Sequence, residues 1–116
     1  MSDRTPAAQS ALLFVYGTLR RGQPNHRQLL RLGARFLGPA VTLRPLRLGR
    51  AADGLPVLYA TARDGLRGEL YAVDMPAAWT ALDEFEGHPA FYRRHLDRVR
   101  RPGGTEAEAW LYFRGG

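Results

Sequence analysis

Leu12 to Tyr16 is an unbroken run of five apolar or aromatic residues. A strand with both faces apolar is a central, buried one. The run stops at Gly17, and the polar stretch Thr18-Leu19-Arg20-Arg21-Gly22 follows between two glycines. Pro24 and Asn25 then open a helix that reaches about Leu32, with Leu29, Leu30 and Leu32 as its apolar positions and Gly33 as its stop. Phe36–Leu43 and Arg44–Leu48 read as extended segments. Pro39 and Pro45 within them predict edges or bends rather than central strands. Arg50–Leu55 is a turn built on Asp53-Gly54, and Val57–Thr61 is a short strand. After the turn Arg63-Asp64-Gly65 comes the strand Leu66–Val73, in which Gly68 marks a bulge or a close approach.

Asp74–Phe85 carries the second helical period. Asp74 is its expected N-cap, Pro76 falls in the first turn and Gly87 ends it. Tyr92–Arg100 and Ala107–Arg114 are the last strands, joined by the turn Arg101-Pro102-Gly103-Gly104. Residues 1–10 read as a loose tail. The pattern predicts one α+β domain over residues 1–116. It has about six or seven short strands and two main helices, in a barrel-shaped mixed sheet with the helices packed outside.

The loop after the first strand has two readings. A rigid strand ending in a glycine-punctuated loop can aim backbone N–H groups at an anion. The same residues can also form a tight strand-to-helix turn that holds nothing. The loop lacks the Gly-Lys-Ser/Thr of a phosphate-binding P-loop and contains no G-x-G-x-x-G.

A second candidate comes from helical phase. At about 100° per residue, Met75, Trp79 and Leu82 define the buried stripe of the second helix. Glu86 follows Leu82 by four residues and points the same way, whereas Glu84 points outward. A carboxylate aimed at the core in a helix's last turn meets both desolvation and the negative end of the dipole, and both raise its pKa. A carboxyl tuned upward is what a general acid/base needs near neutral pH. The competing reading is a glutamate at a helix end paired with Arg93 or Arg94, which pulls the pKa back down.

The remaining polar residues carry less. His26, His88 and His95 have no metal-ligand spacing, and His26 and His88 read as cap or turn residues. Thr18 has no base nearby in sequence. Glu69 is placed on the solvent face of its strand. Tyr16 and Tyr92 are read as half-buried aromatics that could also wall a site.

Composition narrows the field further. There is no cysteine, which excludes disulfides, thiolate catalysis and cysteine-bound metals. No signal peptide or membrane-length apolar run is present, so a cytoplasmic protein without membrane contact is expected. The formal charge is +6, and all 17 basic residues are arginine. They are spread along the chain, and the densest group, Arg93 to Arg101, is interrupted by His95, Leu96, Asp97 and Val99. Nucleic-acid binding is therefore a minor hypothesis.

Three motifs carry a resemblance. Val15-Tyr16-Gly17-Thr18-Leu19, with Arg20-Arg21-Gly22-Gln23-Pro24-Asn25-His26 behind it, is the first. Gly68-Glu69-Leu70-Tyr71-Ala72-Val73-Asp74 is the second. Leu82-Asp83-Glu84-Phe85-Glu86-Gly87, followed by Tyr92 and Arg94, is the third. In this order they resemble the γ-glutamylcyclotransferase (AIG2-like) superfamily, and within it the γ-glutamylamine cyclotransferase branch. The match thins between Leu37 and Ala62, the stretch in which substrate specificity is expected to lie.

The resemblance implies a barrel-like α+β fold. It implies that the loop Tyr16, Gly17, Thr18 and Leu19 binds a glutamyl group largely through its backbone, with Tyr92 beside it. It assigns proton transfer to Glu86, with no metal and no organic cofactor. The implied reaction turns a γ-glutamyl amine into 5-oxoproline and the free amine, and a small γ-glutamyl compound is the implied partner. Two rivals are a cyclotransferase for other γ-glutamyl compounds and a non-catalytic relative that binds a ligand in the same pocket.

Overall fold

In the computed structural model the described residues are 11–60 and 63–114. The expected tail, residues 1–10, and the expected strand end at Thr61 lie outside them. The elements are β1 (Leu12–Val15), α1 (His26–Arg31), β2 (Arg35–Pro45), β3 (Arg47–Arg50), β4 (Pro56–Tyr59), β5 (Gly65–Ala72), α2 (Pro76–Glu86), β6 (Arg93–Arg100) and β7 (Glu106–Phe113). Five strands close into a barrel in the order β1-β5-β2-β6-β7, and β3 and β4 form a separate two-stranded sheet. The architecture is the α+β, barrel-shaped mixed sheet expected. The barrel's mixed character comes from its closing seam. β1 runs parallel to β7 through Leu13 and Trp110, while the other barrel pairs are antiparallel.

β1 is buried on both faces, as an all-apolar strand must be. Leu13 and Val15 face a cluster shared with Leu29 of α1, Leu82 of α2, Tyr71 and Tyr112. Phe14 and Tyr16 face the other way, among Leu70, Val99, Ala109 and Leu111 of the barrel strands. The helices therefore pack outside the barrel, and β1 is the wall between two cores. Gly68 is a close approach rather than a bulge. A Cβ there would collide with the Val15 carbonyl and the Phe14 ring, so glycine lets β1 and β5 pack tightly.

Several local expectations are corrected. β2 is not an edge strand, because it lies between β5 and β6. Its pairing with β6 is confined to Val41 and Thr42. Pro39 and Pro45 fall outside that contact, so their missing N–H groups cost no rung there. Asp74 does not cap α2. The N-cap is Met75, without a side-chain bond, and Pro76 is the first helical residue. The Asp74 carboxylate instead accepts from Arg35 Nη2 at 3.0 Å. Met75 is exposed, and the buried stripe of α2 is Ala78 and Leu82 with Trp79 half-buried. Glu69 is not on a solvent face. It accepts from the Arg21 N–H and the Tyr71 hydroxyl, at 2.9 and 3.1 Å, and so ties the loop after β1 to β5.

Among the described residues, no helix is long and apolar enough to cross a membrane.

Candidate active site

The site grows from two chain turns that meet at one end of the barrel. The first follows β1. At Gly17 the chain leaves the sheet and curls, with the Arg20 N–H and Nε both donating to the Gly17 carbonyl at 3.1 Å. Asn25 locks the far side. Its backbone N–H donates to the Thr18 carbonyl, and its side-chain Nδ2 donates to Thr18 Oγ1, both at 2.9 Å. His26 Nδ1 sits 2.9 Å from the Leu19 carbonyl. The carbonyls of this loop are thereby used internally. Its N–H groups are not: among the described residues those of Gly17, Thr18 and Leu19 have no protein acceptor. Unpaired donors along a fixed loop form an anion-binding concavity.

The second turn ends α2. Gly87 takes the left-handed conformation, φ 70°, and the N–H groups of Gly87 and His88 cap the carbonyls of Glu84 and Asp83. The chain then doubles back, with the Phe91 N–H on the Gly87 carbonyl and the Tyr92 N–H on the Glu86 carbonyl. His88 Nδ1 accepts from the Arg94 N–H at 3.1 Å, which fixes the entry into β6. This return places Glu86, Phe91 and Tyr92 on one wall.

Between the two turns lies a cleft of about 260 Å³. That is just below the range of sites that enclose a drug-sized molecule, roughly 300–1,000 Å³. Tyr16, Gly17, Thr18, Leu19, Glu86 and Tyr92 all line it. The residues singled out from the sequence are therefore brought together, from positions up to 76 apart along the chain. Tyr16 and Tyr92 are buried rather than half-buried.

The electrostatics of the cleft centre on Glu86. Burial pushes its carboxyl up to about 7. The three tyrosine hydroxyls around it are committed elsewhere. Tyr16 donates to the Tyr112 carbonyl, Tyr112 donates to Asp83 Oδ1 at 2.6 Å, and Tyr92 donates to the Pro56 carbonyl at 2.7 Å. Burial raises all three phenols, and the Glu86 charge adds to the effect in each. No arginine pairs with Glu86 among the described residues. Arg94 is instead held by Asp83 at 3.6 Å and lies between the Trp79 and Trp110 rings, at 5.0 and 4.9 Å. The geometry thus favours a carboxyl without a partner over a helix-end ion pair.

Part of the lining carries no motif in the sequence. Asn25, Leu55, Pro56, Phe85, Phe91 and Tyr112 also face the cleft. Phe85 and Phe91 could have been found from their nearness to Glu86. Tyr112 left no local signal, because it reaches the site through barrel closure. Asp83, which no spacing singles out, holds both Tyr112 and Arg94.

Residues 13–116 match the model of a family described as "Gamma-glutamyl cyclotransferase, AIG2-like". A human protein named γ-glutamylaminecyclotransferase is 44% identical over 111 residues, covering 85% of this chain and 71% of that protein. A bovine protein of the same name is 46% identical over 103 residues, covering 79% of this chain and 61% of its own length. The crystal structure of an AIG2-like protein from mouse superimposes with a TM-score of 0.79 at 33% identity. The overlap covers 91% of this chain and 78% of the mouse chain.

Proposed function

The chain belongs to the γ-glutamyl cyclotransferase family of AIG2-like proteins, and from that premise we propose that it converts a γ-glutamyl amine into 5-oxoproline and the free amine, with Glu86 carrying the proton. The observation that supports this most is the Glu86 carboxyl: half-buried, without a partner among the described residues, raised to about 7 and lining the same cleft as a loop of N–H donors unpaired among those residues.

The substrate's α-amino group is an ammonium at neutral pH and cannot attack. Glu86 as carboxylate takes one of its protons. The freed amine nitrogen then bonds to the γ-carbonyl carbon and closes a five-membered ring. Ring closure within one molecule draws on proximity rather than on a second reactant. Negative charge collects on the carbonyl oxygen, where the N–H groups of Gly17, Thr18 and Leu19 can receive it. One such donor is worth about 3 kcal/mol in a well-studied acyl-transfer enzyme. The bond to the leaving nitrogen then breaks, and that nitrogen takes the proton from Glu86; the extra proton on the ring nitrogen passes by way of Glu86 to the released amine, which departs as an ammonium. No water is consumed, and Glu86 returns to carboxylate.

A carboxyl near 7 suits both halves of this cycle. An ordinary carboxylate would be a weaker base for the ammonium. The phenols of Tyr16, Tyr92 and Tyr112 are held neutral by burial and serve as walls rather than as bases.

The direct test is release of 5-oxoproline from γ-glutamyl amines, compared between the wild type and Glu86→Gln. General acid/base groups are typically worth about a hundred- to ten-thousand-fold in rate, so the variant should be nearly inactive. Turnover within a few-fold of wild type in a folded Glu86→Gln protein overturns the assignment. Glu84→Gln, on the exposed face of α2, is the matched control.

A further inference from the structure

Eight large apolar side chains are exposed among the described residues, and three of them meet at the mouth of the cleft: Leu55, Phe85 and Phe91, 39%, 43% and 44% exposed. Single apolar residues on a surface are ordinary, but a cluster at the rim of a site marks a contact region. They come from three separate segments: the β3–β4 turn, the last turn of α2 and the return loop before β6.

The collar is held in place. The Phe91 ring stands edge-on to Tyr92, with centroids 5.3 Å apart, and carries the Arg114 guanidinium 4.5 Å from its centroid. The Leu55 N–H donates to Asp53 Oδ1 at 3.0 Å, and the Ala51 N–H donates to the Leu55 carbonyl at 2.9 Å. Asp53 in turn pairs with Arg114 Nη2 at 2.9 Å. One ion pair therefore joins the Leu55 wall to the Phe91 wall, and its two charges cancel. The other carboxylate in this region with a charged partner, Asp83, is taken by Arg94. Glu86 itself must exchange protons with the substrate.

We propose that this collar is the subsite for the leaving amine, and that it selects amines whose substituent is apolar and carries no charge of its own, such as alkyl and arylalkyl amines. The inference rests on the function proposed above, which puts the glutamyl end against the Gly17 loop and sends the leaving nitrogen outward past Glu86. Along that path the substrate meets two phenyl rings and a leucine. Among the described residues that line the cleft, a second cation on the amine would find no carboxylate besides Glu86 to replace its lost water. An alkyl or benzyl group would lose its own apolar surface and cover that of the collar.

The test is kcat/KM for 5-oxoproline release from four γ-glutamyl amides: methylamide, n-pentylamide, benzylamide and 4-aminobutylamide. The pentyl and aminobutyl compounds have the same number of heavy atoms and differ in charge. The pentyl and benzyl compounds should exceed the methyl one by about tenfold or more, chiefly through KM, and should exceed the aminobutyl one by a similar factor. Phe91→Ala and Leu55→Ala should each reduce the benzyl-to-methyl ratio at least threefold. Equal rates for all four, a preference for the aminobutyl compound, or an unchanged ratio in both variants overturns the proposal. Calorimetric binding of the same amides to Glu86→Gln separates this inference from the one beneath it. If wild type releases no 5-oxoproline from any amide but the apolar amides still bind more tightly, and Phe91→Ala abolishes that preference, the collar stands and the activity falls. If no preference appears in binding either, both fall.

Discussion

Replacing Glu86 by glutamine should stabilise the protein, and only above the pH at which an ordinary carboxyl ionises. Burial moves the carboxyl from 4.5 to about 7. Between those values the folded protein holds a proton that the unfolded chain has released. By linkage, the native state loses stability as pH rises through that window. The penalty is absent below about 4.5 and complete above about 7. At about 1.36 kcal/mol per pH unit, the whole displacement corresponds to roughly 3 kcal/mol. Glu86 keeps some contact with solvent, so we discount this to about 2 kcal/mol.

Glutamine has nearly the same shape and never acquires the charge. Glu86→Gln should therefore raise Tm by about 8 °C near pH 8, at roughly 4 °C per kcal/mol for a domain of this size. Near pH 4 the two proteins should melt within about 2 °C of each other. The assay is thermal unfolding followed by circular dichroism at both pH values, with Glu84→Gln run alongside. The difference between the two pH values is the decisive quantity, because any packing change made by the amide itself is common to both. A shift of equal size at both pH values, or a lower Tm near pH 8, refutes the argument that Glu86 is a poorly solvated, unpaired carboxyl.

Three further outcomes follow from the same geometry. A Cβ at Gly17 meets nothing within 4 Å, so Gly17→Val should leave Tm within about 2 °C while filling the cleft. KM for a γ-glutamyl amide should rise about tenfold or more, and an unchanged KM would remove the loop from the binding site. Asp83→Asn frees Arg94 one helical turn from Glu86. An arginine near a carboxyl lowers its pKa by about one to three, so the acidic limb of kcat/KM should move to lower pH. Adding Arg94→Gln should move it back, and a pH profile that ignores both changes refutes the coupling. Acetylating the substrate's α-amine should abolish release of the amine, measured by chromatography, because the nucleophile is gone; continued release would point to attack by water.

What could be read from the sequence was what local physics decides. β1 declares itself because five apolar residues in a row fit nothing but a strand covered on both faces. Glu86 could be assigned a direction because helical phase is rigid over one turn, and Gly87 because a left-handed end favours glycine. The failures occur where a distant partner outbids a local preference. Asp74 is a good N-cap in isolation, but Arg35, 39 residues away, takes its carboxylate. Glu69 alternates toward solvent in a flat strand, yet the Arg21 N–H and Tyr71 close over it. Tyr112 belongs to the cleft only because Tyr16, 96 residues earlier, meets its carbonyl across the seam. Leu55 and Pro56 enter from a hairpin whose position no motif reveals.

The parallel seam between β1 and β7 also has a practical side. Two parallel strands point their chain directions the same way, so Ala11 enters at one end of the barrel and Arg114 leaves at the other. The departing end is the one that carries the loop after β1, and there Arg114 already rests on Phe91 and bonds Asp53. A fusion partner or surface linker attached behind Arg114 would begin beside the cleft and could obstruct it. The same attachment ahead of Ala11 would hang from the opposite end. For immobilised assays or tethered two-enzyme assemblies, attachment at Ala11 is the choice that keeps the mouth open.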